Sequence, residues 1–115
     1  MESCIFCKIA RGEISSEKIY ENENFFSIKD IHPKVKGHSL VISKKHLDTF
    51  LELPDTFSSG FLDALKNTAR KLLKEEKAAG FNIVNNNGKV AGQLVNHLHF
   101  HILPRKEKDA FGLGV

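Results

Sequence analysis

Short alternations of apolar and polar residues predict strands in the first part of the chain. Residues 18–21 and residues 25–30 alternate on either side of the polar turn at residues 22–24, which is typical of a β-hairpin. A β-branched run at residues 39–42 predicts another strand. The first third of the chain therefore predicts three consecutive strands.

A helical period replaces this alternation further along the chain. From residue 55 to about residue 79, apolar residues recur at three- and four-residue steps, which predicts one long amphipathic helix that Gly80 ends. Residues 81–84 predict a fourth strand, and residues 97–103 alternate strictly until Pro104 and predict a fifth. Without alternating helical crossovers, this order predicts an α+β domain with a mainly antiparallel sheet of about five strands.

Composition places this pattern in one folded domain. The chain has 115 residues, 41% of them hydrophobic, which predicts a single domain over residues 1–115. No run approaches the roughly 18 apolar residues of a membrane-spanning helix, and the acidic start Met1-Glu2 is unlike a secretory signal. We therefore expect a cytoplasmic protein with no membrane partner.

The charge balance is only slightly basic. Lys and Arg number 17 against 14 Asp and Glu, giving a formal net charge of +3, and acids and bases are interspersed. Nucleic-acid binding needs a basic patch interleaved with aromatic residues, and the sequence shows no such run. Nucleic acid is therefore not an expected partner, and a nucleic-acid-binding zinc module stays the weakest alternative.

Three histidines alternate with apolar residues in the fifth predicted strand. Because successive strand side chains point to opposite faces, His97, His99 and His101 share one face and the apolar residues between them share the other. At about 3.3 Å per residue, the outer two lie roughly 13 Å apart, too far for one metal to bind all three. At least one histidine then remains a neutral imidazole, which is a nucleophile and a general acid or base near pH 7.

The two cysteines, Cys4 and Cys7, offer a pair of soft metal ligands. Four-coordinate zinc commonly completes such a pair with two histidines. The alternatives are a redox pair and two incidental thiols. A redox pair normally lies at a strand-to-helix junction, and no strand is predicted before Cys4 and Cys7. The spacing therefore favours a zinc site closed by two histidines.

A glycine-bearing loop precedes the histidines. Gly88 and Gly92 lie in it, and Asn86 and Gln93 flank them with side-chain amides. Glycine allows backbone N–H groups to approach phosphate oxygens, and the amides add donors. Beside a row of histidines, this loop predicts a phosphate cradle, while a simple turn is the alternative interpretation.

Together these segments resemble the histidine triad (HIT) superfamily of nucleotide hydrolases and transferases. The resemblance rests on His-Leu-His-Phe-His-Ile-Leu at residues 97–103, on Ala-Gly-Gln at residues 91–93, and on residues 37–42 followed by Lys-Lys-His at residues 44–46. The short length and the N-terminal cysteine pair resemble most the small prokaryotic-type, zinc-containing branch, which is similar to the purine nucleoside phosphoramidate hydrolases. The resemblance implies a homodimer of α+β subunits with a short N-terminal helix and one long helix.

The resemblance also implies individual roles. His99 would attack the α-phosphorus of a purine nucleotide and form a nucleotidyl-histidine intermediate, which water then hydrolyses. His101 would contact the phosphate and protonate the leaving group, and His38 would orient the first triad histidine and the phosphate. Asp30 would hold the ribose hydroxyls.

Three further sets of residues match positions of the family that bind phosphate, purine or metal. The phosphate-side set is Asn86, Gly92 and Gln93. The apolar positions that match the purine slot, and that ordinary core packing would equally explain, are Ile5, Phe6, Ile9, Ile28 and Ile31. The resemblance implies a structural zinc held by Cys4, Cys7, His46 and His97.

Two departures from the family pattern leave the substrate open. Leu94 stands where the phosphoramidate hydrolases have a hydroxyl residue, and residues 111–115 do not match the tail that selects substrates in some relatives. Residues 103–106 are similar to the dinucleoside polyphosphate hydrolase branch. We expect turnover of purine nucleoside phosphoramidates or related nucleotides, with dinucleoside polyphosphates, or a nucleotide-binding or zinc scaffold without turnover, as alternatives.

Overall fold

The structure, a computed structural model, describes residues 3–114. The predicted domain limits at residues 1 and 115 lie outside the described residues. Two helices and five strands follow one another as α1 (Ile5–Ala10), β1 (Lys18–Glu21), β2 (Phe25–Lys29), β3 (Ser39–Ser43), α2 (Ser58–Glu76), β4 (Gly80–Val84) and β5 (His99–Arg105). Short 3₁₀ turns occur at Phe50–Glu52, Asp55–Phe57 and Lys89–Ala91.

The five strands form one antiparallel sheet in the order β1-β2-β3-β5-β4. This arrangement confirms the predicted α+β fold with its antiparallel sheet, its long helix and its short N-terminal helix. Strands β1 and β4 are the edges of the sheet. No helix among the described residues combines the length and apolarity that crossing a membrane requires.

The helices pack on opposite faces of the sheet, because the strand side chains alternate between those faces. The apolar cluster on the α2 face is Phe25, Val41, Leu47, Ala64, Leu65, Ala69, Leu72, Leu98, Phe100 and Ile102. The cluster on the α1 face is Phe6, Ile9, Phe26, Ile28, Leu40 and Ile42. The apolar residues between the histidines thus anchor β5 to α2, and the histidines themselves face the α1 side.

The long helix is shorter than its apolar pattern predicts. Residues Asp55–Phe57 form a 3₁₀ turn before α2 begins at Ser58. Lys77 adopts a left-handed conformation with φ of 54°, and the Ala78 N–H donates to the Leu73 carbonyl, which closes the helix before Gly80. The prediction that Gly80 ends the helix is therefore wrong, because Gly80 is the first residue of β4.

Strand β5 is displaced by two residues from its predicted span of 97–103. His97 lies before the strand, which continues through Pro104 to Arg105. The Ala79 N–H donates to the Arg105 carbonyl, so the neighbouring Pro104 nitrogen faces the side of β3, whose pairing with β5 stops at Ile102. The missing N–H of proline costs no ladder bond there, and so Pro104 does not end the strand.

Candidate active site and metal centre

His99 and His101 lie on the α1 face of the sheet, on β5, which pairs with β3 on one side and β4 on the other. Their Cα partners on β3 are Ile42 for His99 and Leu40 for His101. The imidazole rings are 5.1 Å apart between centroids. His38, the residue before β3, packs its ring 5.1 Å from that of His101. The sheet register therefore gathers the three predicted catalytic histidines into one cluster.

His99 is buried, and its two ring nitrogens have different surroundings. Its Nδ1 lies 2.7 Å from the carbonyl oxygen of His97, so Nδ1 carries the proton and donates it. The Nε2 atom of a neutral ring is then unprotonated and holds a free lone pair. The Phe6 ring packs edge-on against His99 at 5.2 Å and fixes the plane of the imidazole. This arrangement presents a nucleophilic nitrogen.

A carboxylate and two imidazoles form the rest of the histidine cluster. His38 Nε2 lies 2.9 Å from His101 Nδ1 and 3.4 Å from Asp30 Oδ2. Asp30 is held in turn by the His32 main-chain N–H, which donates to Oδ1 at 2.8 Å. Asp30 thus faces His38 through Oδ2, an interaction that the sequence did not predict.

Burial keeps these histidines neutral. Burial lowers the pKa of His99 and of His38 below 6.5, and it lowers the pKa of His101 to about 4, with the neighbouring His99 and His38 acting in the same direction. Asp30 opposes the shift at all three rings, since its negative charge favours the protonated forms. Neutral imidazoles are the forms that attack phosphorus and donate single hydrogen bonds.

The glycine loop before β5 has a backbone that requires glycine at two positions. Gly88 and Gly92 have φ values of 91° and 94°, a region that other residues rarely adopt. Gln93 is buried and holds this loop: its Oε1 accepts from the Gly88 N–H at 2.8 Å, and its Nε2 donates to the carbonyls of Asp48 at 2.7 Å and Val95 at 3.1 Å. The Gln93 amide therefore serves the loop and is not free for a phosphate.

Asn86 differs from Gln93, since its side chain makes no hydrogen bond within residues 3–114. An ideal Cβ on Gly92 would lie 3.9 Å from Asn86 Nδ2, so Gly92 and the Asn86 amide are adjacent. The free amide beside a glycine backbone fits the expected phosphate-side role. Asn85, which the sequence did not single out, donates from Nδ2 to the His99 carbonyl at 2.9 Å and so ties the loop to β5.

The five apolar positions predicted for a purine slot divide into two groups. Phe6, Ile9 and Ile28 are buried in the α1-face cluster, where they pack the core beside the histidines. Ile5 and Ile31 are exposed, and Ile31 has 83% of its surface accessible. Of the five, Ile5, on α1, and Ile31, beside Asp30, are therefore the two whose side chains are exposed to solvent.

Four predicted metal ligands meet at the other end of the histidine segment. The ligand atoms of Cys4, Cys7, His46 and His97 all lie within 4.8 Å of one another. Cys4 Sγ lies 3.2 Å from His97 Nδ1, and Cys7 Sγ lies 3.2 Å from His46 Nδ1 and 3.5 Å from His97 Nδ1. Tetrahedral zinc, with bonds of about 2.3 Å to sulfur and 2.0–2.1 Å to nitrogen, requires sulfur–nitrogen separations of roughly 3.5 Å. The donor set fits a closed four-coordinate zinc site.

Hydrogen bonds aim the two imidazoles of this set. His97 Nε2 donates to the Ser43 carbonyl at 2.6 Å, and His46 Nε2 donates to Asp48 Oδ1 at 3.1 Å. Each bond leaves Nδ1 unprotonated and directed at the thiols, as metal ligation requires. Burial lowers the pKa of His97 to about 4, which keeps it available as a neutral ligand, and burial raises the pKa of the Cys7 thiol in the metal-free site.

Sequence reasoning missed the residues that orient these ligands. Asp48 carried a weak signal, because a carboxylate two residues after a metal-binding histidine is a common partner of its second ring nitrogen. The sequence held no signal for Ser43 or Asn85. Ser43 accepts through its main-chain carbonyl, and Asn85 donates to the carbonyl of His99, which lies on another strand. The exposed His32 takes part in neither cluster through its ring.

The fold, the histidines of β5 and the glycine loop are those of a histidine triad domain. Comparisons with a family model, with related sequences and with solved structures agree. Residues 11–108 match the HIT domain family model, so the chain belongs to the HIT family. It is 41% identical to an adenosine 5′-monophosphoramidase of Candida albicans, with 98% of this chain and 76% of that one covered. It is 52% identical to an uncharacterised HIT-like protein of Methanocaldococcus jannaschii, covering 92% and 81% of the two chains.

Solved structures give the same result. A Streptococcus mutans crystal structure superposes with a TM-score of 0.92 at 43% identity, covering all of this chain and 73% of that chain. The crystal structure of a Bacillus subtilis HIT family member gives a TM-score of 0.89 at 44% identity, with coverage of 96% and 79%. Among the relatives compared by sequence, an adenylylsulfatase of Arabidopsis thaliana is 40% identical, with 92% of this chain and 54% of that protein covered.

Proposed function

We propose that this protein is a nucleotide hydrolase that cleaves the bond between the α-phosphate and its leaving group in purine nucleoside phosphoramidates. The observation that carries the proposal is the buried His99, whose Nδ1–H is committed to the His97 carbonyl at 2.7 Å and whose Nε2 is therefore a free nucleophile. Relatives named as adenosine 5′-monophosphoramidases support the substrate class. A nucleotide-binding protein needs no such nucleophile.

The reaction proceeds by double displacement. His99 Nε2 attacks the α-phosphorus and forms a phosphorus–nitrogen bond, while the bond to the leaving amine breaks and the Nε2 proton of His101 goes to that amine. A water molecule then attacks the phosphorus and returns one proton to His101 Nε2. The bond from phosphorus to His99 breaks, which releases the nucleoside monophosphate and restores both histidines. Asn86 and the main chain at Gly92 bind the phosphoryl oxygens, and Asp30 with the exposed Ile5 and Ile31 holds the nucleoside.

We propose that a structural zinc occupies the Cys4, Cys7, His46 and His97 site. Four protein ligands leave no position for water or substrate, so this metal would tie the N-terminal helix to the histidine segment. The cytoplasm, where thiols remain reduced, suits such a site and is the location we propose. Elemental analysis should find one zinc per chain, and a folded, metal-free preparation would refute the proposal.

We also propose a homodimer formed at the β4 edge. This strand is unpaired on its outer side, and its Phe81 and Ile83 are 42% and 48% exposed. Exposed apolar edge strands pair readily with another chain, and a second copy would extend the sheet. Sedimentation should give twice the monomer mass, and Ile83→Lys should shift the protein toward monomer; a wild-type monomer at micromolar concentration would refute it.

The function is tested by supplying adenosine 5′-phosphoramidate and diadenosine polyphosphate side by side and separating the products by chromatography. We expect release of AMP from the phosphoramidate. Cleavage of the polyphosphate alone would replace this substrate class with the alternative that residues 103–106 suggested. Tight binding of AMP without turnover of either would replace the enzyme with a nucleotide-binding or zinc scaffold.

A further inference from the structure

The loop between β2 and β3 sets the protonation of His38 through a main-chain group. The Lys34 main-chain N–H donates to His38 Nδ1 at 3.0 Å. An amide N–H can only donate, so the accepting Nδ1 has no proton and the neutral ring carries its proton on Nε2. The tautomer of His38 is therefore fixed by a backbone atom.

The fixed tautomer of His38 determines that of His101. His38 Nε2 lies 2.9 Å from His101 Nδ1, and since Nε2 carries the proton, His101 Nδ1 must accept it. The proton of neutral His101 then lies on Nε2. His99 is held in the opposite form, because its Nδ1–H donates to the His97 carbonyl. Two neighbouring histidines of one strand thus present an unprotonated Nε2 and an Nε2–H.

The loop that carries the Lys34 amide is closed by its own hydrogen bonds. The Asp30 N–H donates to the His38 carbonyl at 2.9 Å, and the His38 N–H donates to the Val35 carbonyl at 3.1 Å. Gly37 has φ of 87°, and a Cβ there would lie 2.7 Å from the Cγ atom of the buried Glu76 on α2. Close packing against α2 therefore holds the amide in place.

We propose that the Lys34 main-chain N–H is a positioning group, which holds the proton of His101 on the nitrogen available to substrate by fixing His38 in its Nε2–H form. A proton on His101 Nδ1 would put two N–H groups face to face across 2.9 Å. The inference deepens the proposed function, because it assigns His101 the donor role and His99 the nucleophile role from one chain of contacts.

The same chain of contacts argues against a second metal site. The ligand atoms of Asp30, His38 and His101 lie within 4.8 Å of one another, as in a metal-binding cluster. A metal on His38 Nε2 would displace the proton there to Nδ1, where it would face the Lys34 N–H. The cluster is therefore a hydrogen-bond relay between two imidazoles and a carboxylate.

Long-range ¹H–¹⁵N spectra of the wild-type protein as purified test the tautomers directly, because an unprotonated ring nitrogen resonates apart from a protonated one. We expect unprotonated Nδ1 in His38 and His101 and unprotonated Nε2 in His99. A proton on Nδ1 of His101, or exchange-averaged nitrogens in that ring, would overturn the proposal. The spectrum needs no substrate, so absence of turnover with these tautomers intact would refute the proposed function and leave this inference standing.

Lys34→Pro removes the N–H, and Lys34→Ala retains it while removing the side-chain charge that faces His38. We expect Lys34→Ala to keep the wild-type tautomers, and Lys34→Pro to mix them and lower turnover roughly five- to tenfold, the effect of one lost hydrogen bond. Both variants lose the Lys34 charge, which lowers the pKa of His38, so the acid limb of the pH–rate profile should move toward neutral pH in both. The shift should be larger in Lys34→Pro, which also loses the N–H, while Asp30 and His99 still face the pair. Wild-type tautomers in folded Lys34→Pro would overturn the role of the amide; should that variant not fold, the wild-type spectrum decides.

Discussion

The two ends of the histidine segment use the same side chain for different chemistry. At one end, His97 joins His46 and two thiols, and each imidazole donates Nε2–H to an oxygen and turns Nδ1 inward. At the other end, His99 donates Nδ1–H and leaves Nε2 free. In each ring, one nitrogen donates its proton to a carbonyl or carboxylate oxygen. The position of that oxygen decides which nitrogen stays unprotonated and can bind a metal or attack phosphorus. The candidate metal cluster is closed, with four possible ligand atoms within 4.8 Å of one another, whereas the histidine cluster leaves the Nε2 atom of His99 without a proton.

Removing His99, the proposed nucleophile, should have the largest effect and should leave the candidate metal cluster intact. His99→Ala is expected to lower phosphoramidate turnover by about 10⁴-fold or more, because no other unprotonated nitrogen of the cluster replaces Nε2. Steady-state assays measure turnover, calorimetry should still detect AMP binding, and elemental analysis should give the wild-type zinc content. Retained turnover would remove His99 from the mechanism.

Breaking the metal cluster should affect stability before chemistry. Cys7→Ala removes one of four ligands and is expected to lower the free energy of unfolding by about 3 kcal/mol or more, since metal binding is coupled to folding. Thermal unfolding with and without added zinc measures the loss, with His99→Ala as the variant that keeps the metal. A Cys7→Ala protein with unchanged zinc content and melting temperature would contradict the site.

Acid should destabilise the histidine cluster through His101. Its pKa is about 4 in the folded protein against 6.5 in the unfolded chain, so between these values the unfolded state binds more protons and stability falls as pH falls. From pH 7.5 to pH 5 the expected loss from His101 is about 2 kcal/mol. Urea unfolding across this range should give a smaller loss for His101→Asn than for wild type. His32→Asn, which removes an exposed histidine, is the control, and equal slopes for both variants would contradict the prediction.

The smallest expected effect concerns the residue that links the two clusters. Gln93 donates to the carbonyl of Asp48, the partner of His46, and also holds the glycine loop. Gln93→Ala should lower the free energy of unfolding by about 1 kcal/mol, because the Gly88 N–H and the carbonyls of Asp48 and Val95 lose their hydrogen-bond partner. Asn86→Ala should change it by less than about 0.5 kcal/mol and weaken AMP binding instead. Similar stability losses in both variants would contradict this division of roles.

Much of the fold follows from local pattern. The alternation at residues 18–21 and 25–30 and the helical period after residue 57 each matched an observed element, because burial of one face imposes its period on the sequence. The ends of α2 and β5 did not follow from the pattern. Lys77 ends α2 in a left-handed conformation, and Pro104 stays within β5 because its missing N–H faces a side without a partner strand.

In the candidate site, too, some features could be predicted from the sequence and others depend on the fold. Its residue types and their spacing, above all His97, His99 and His101 with the cysteine pair, could be read from the sequence and its resemblance to the HIT family. The functions of Gln93 as a loop support and of Asp30 as a neighbour of His38 could not, since each depends on atoms brought together by other elements.

The sequence by itself determined the alternation that puts three imidazoles on one side of a strand and apolar anchors on the other, because side-chain direction in a strand is a local property. Only the tertiary structure decided which ring nitrogen His97 and His101 offer. Cys4 reaches His97 across 93 positions and His38 reaches His101 across 63. Protonation of a buried imidazole depends on the partner of its second nitrogen. Packing supplies that partner for His97 and His101, whereas His99 finds its partner in the His97 carbonyl, two residues away.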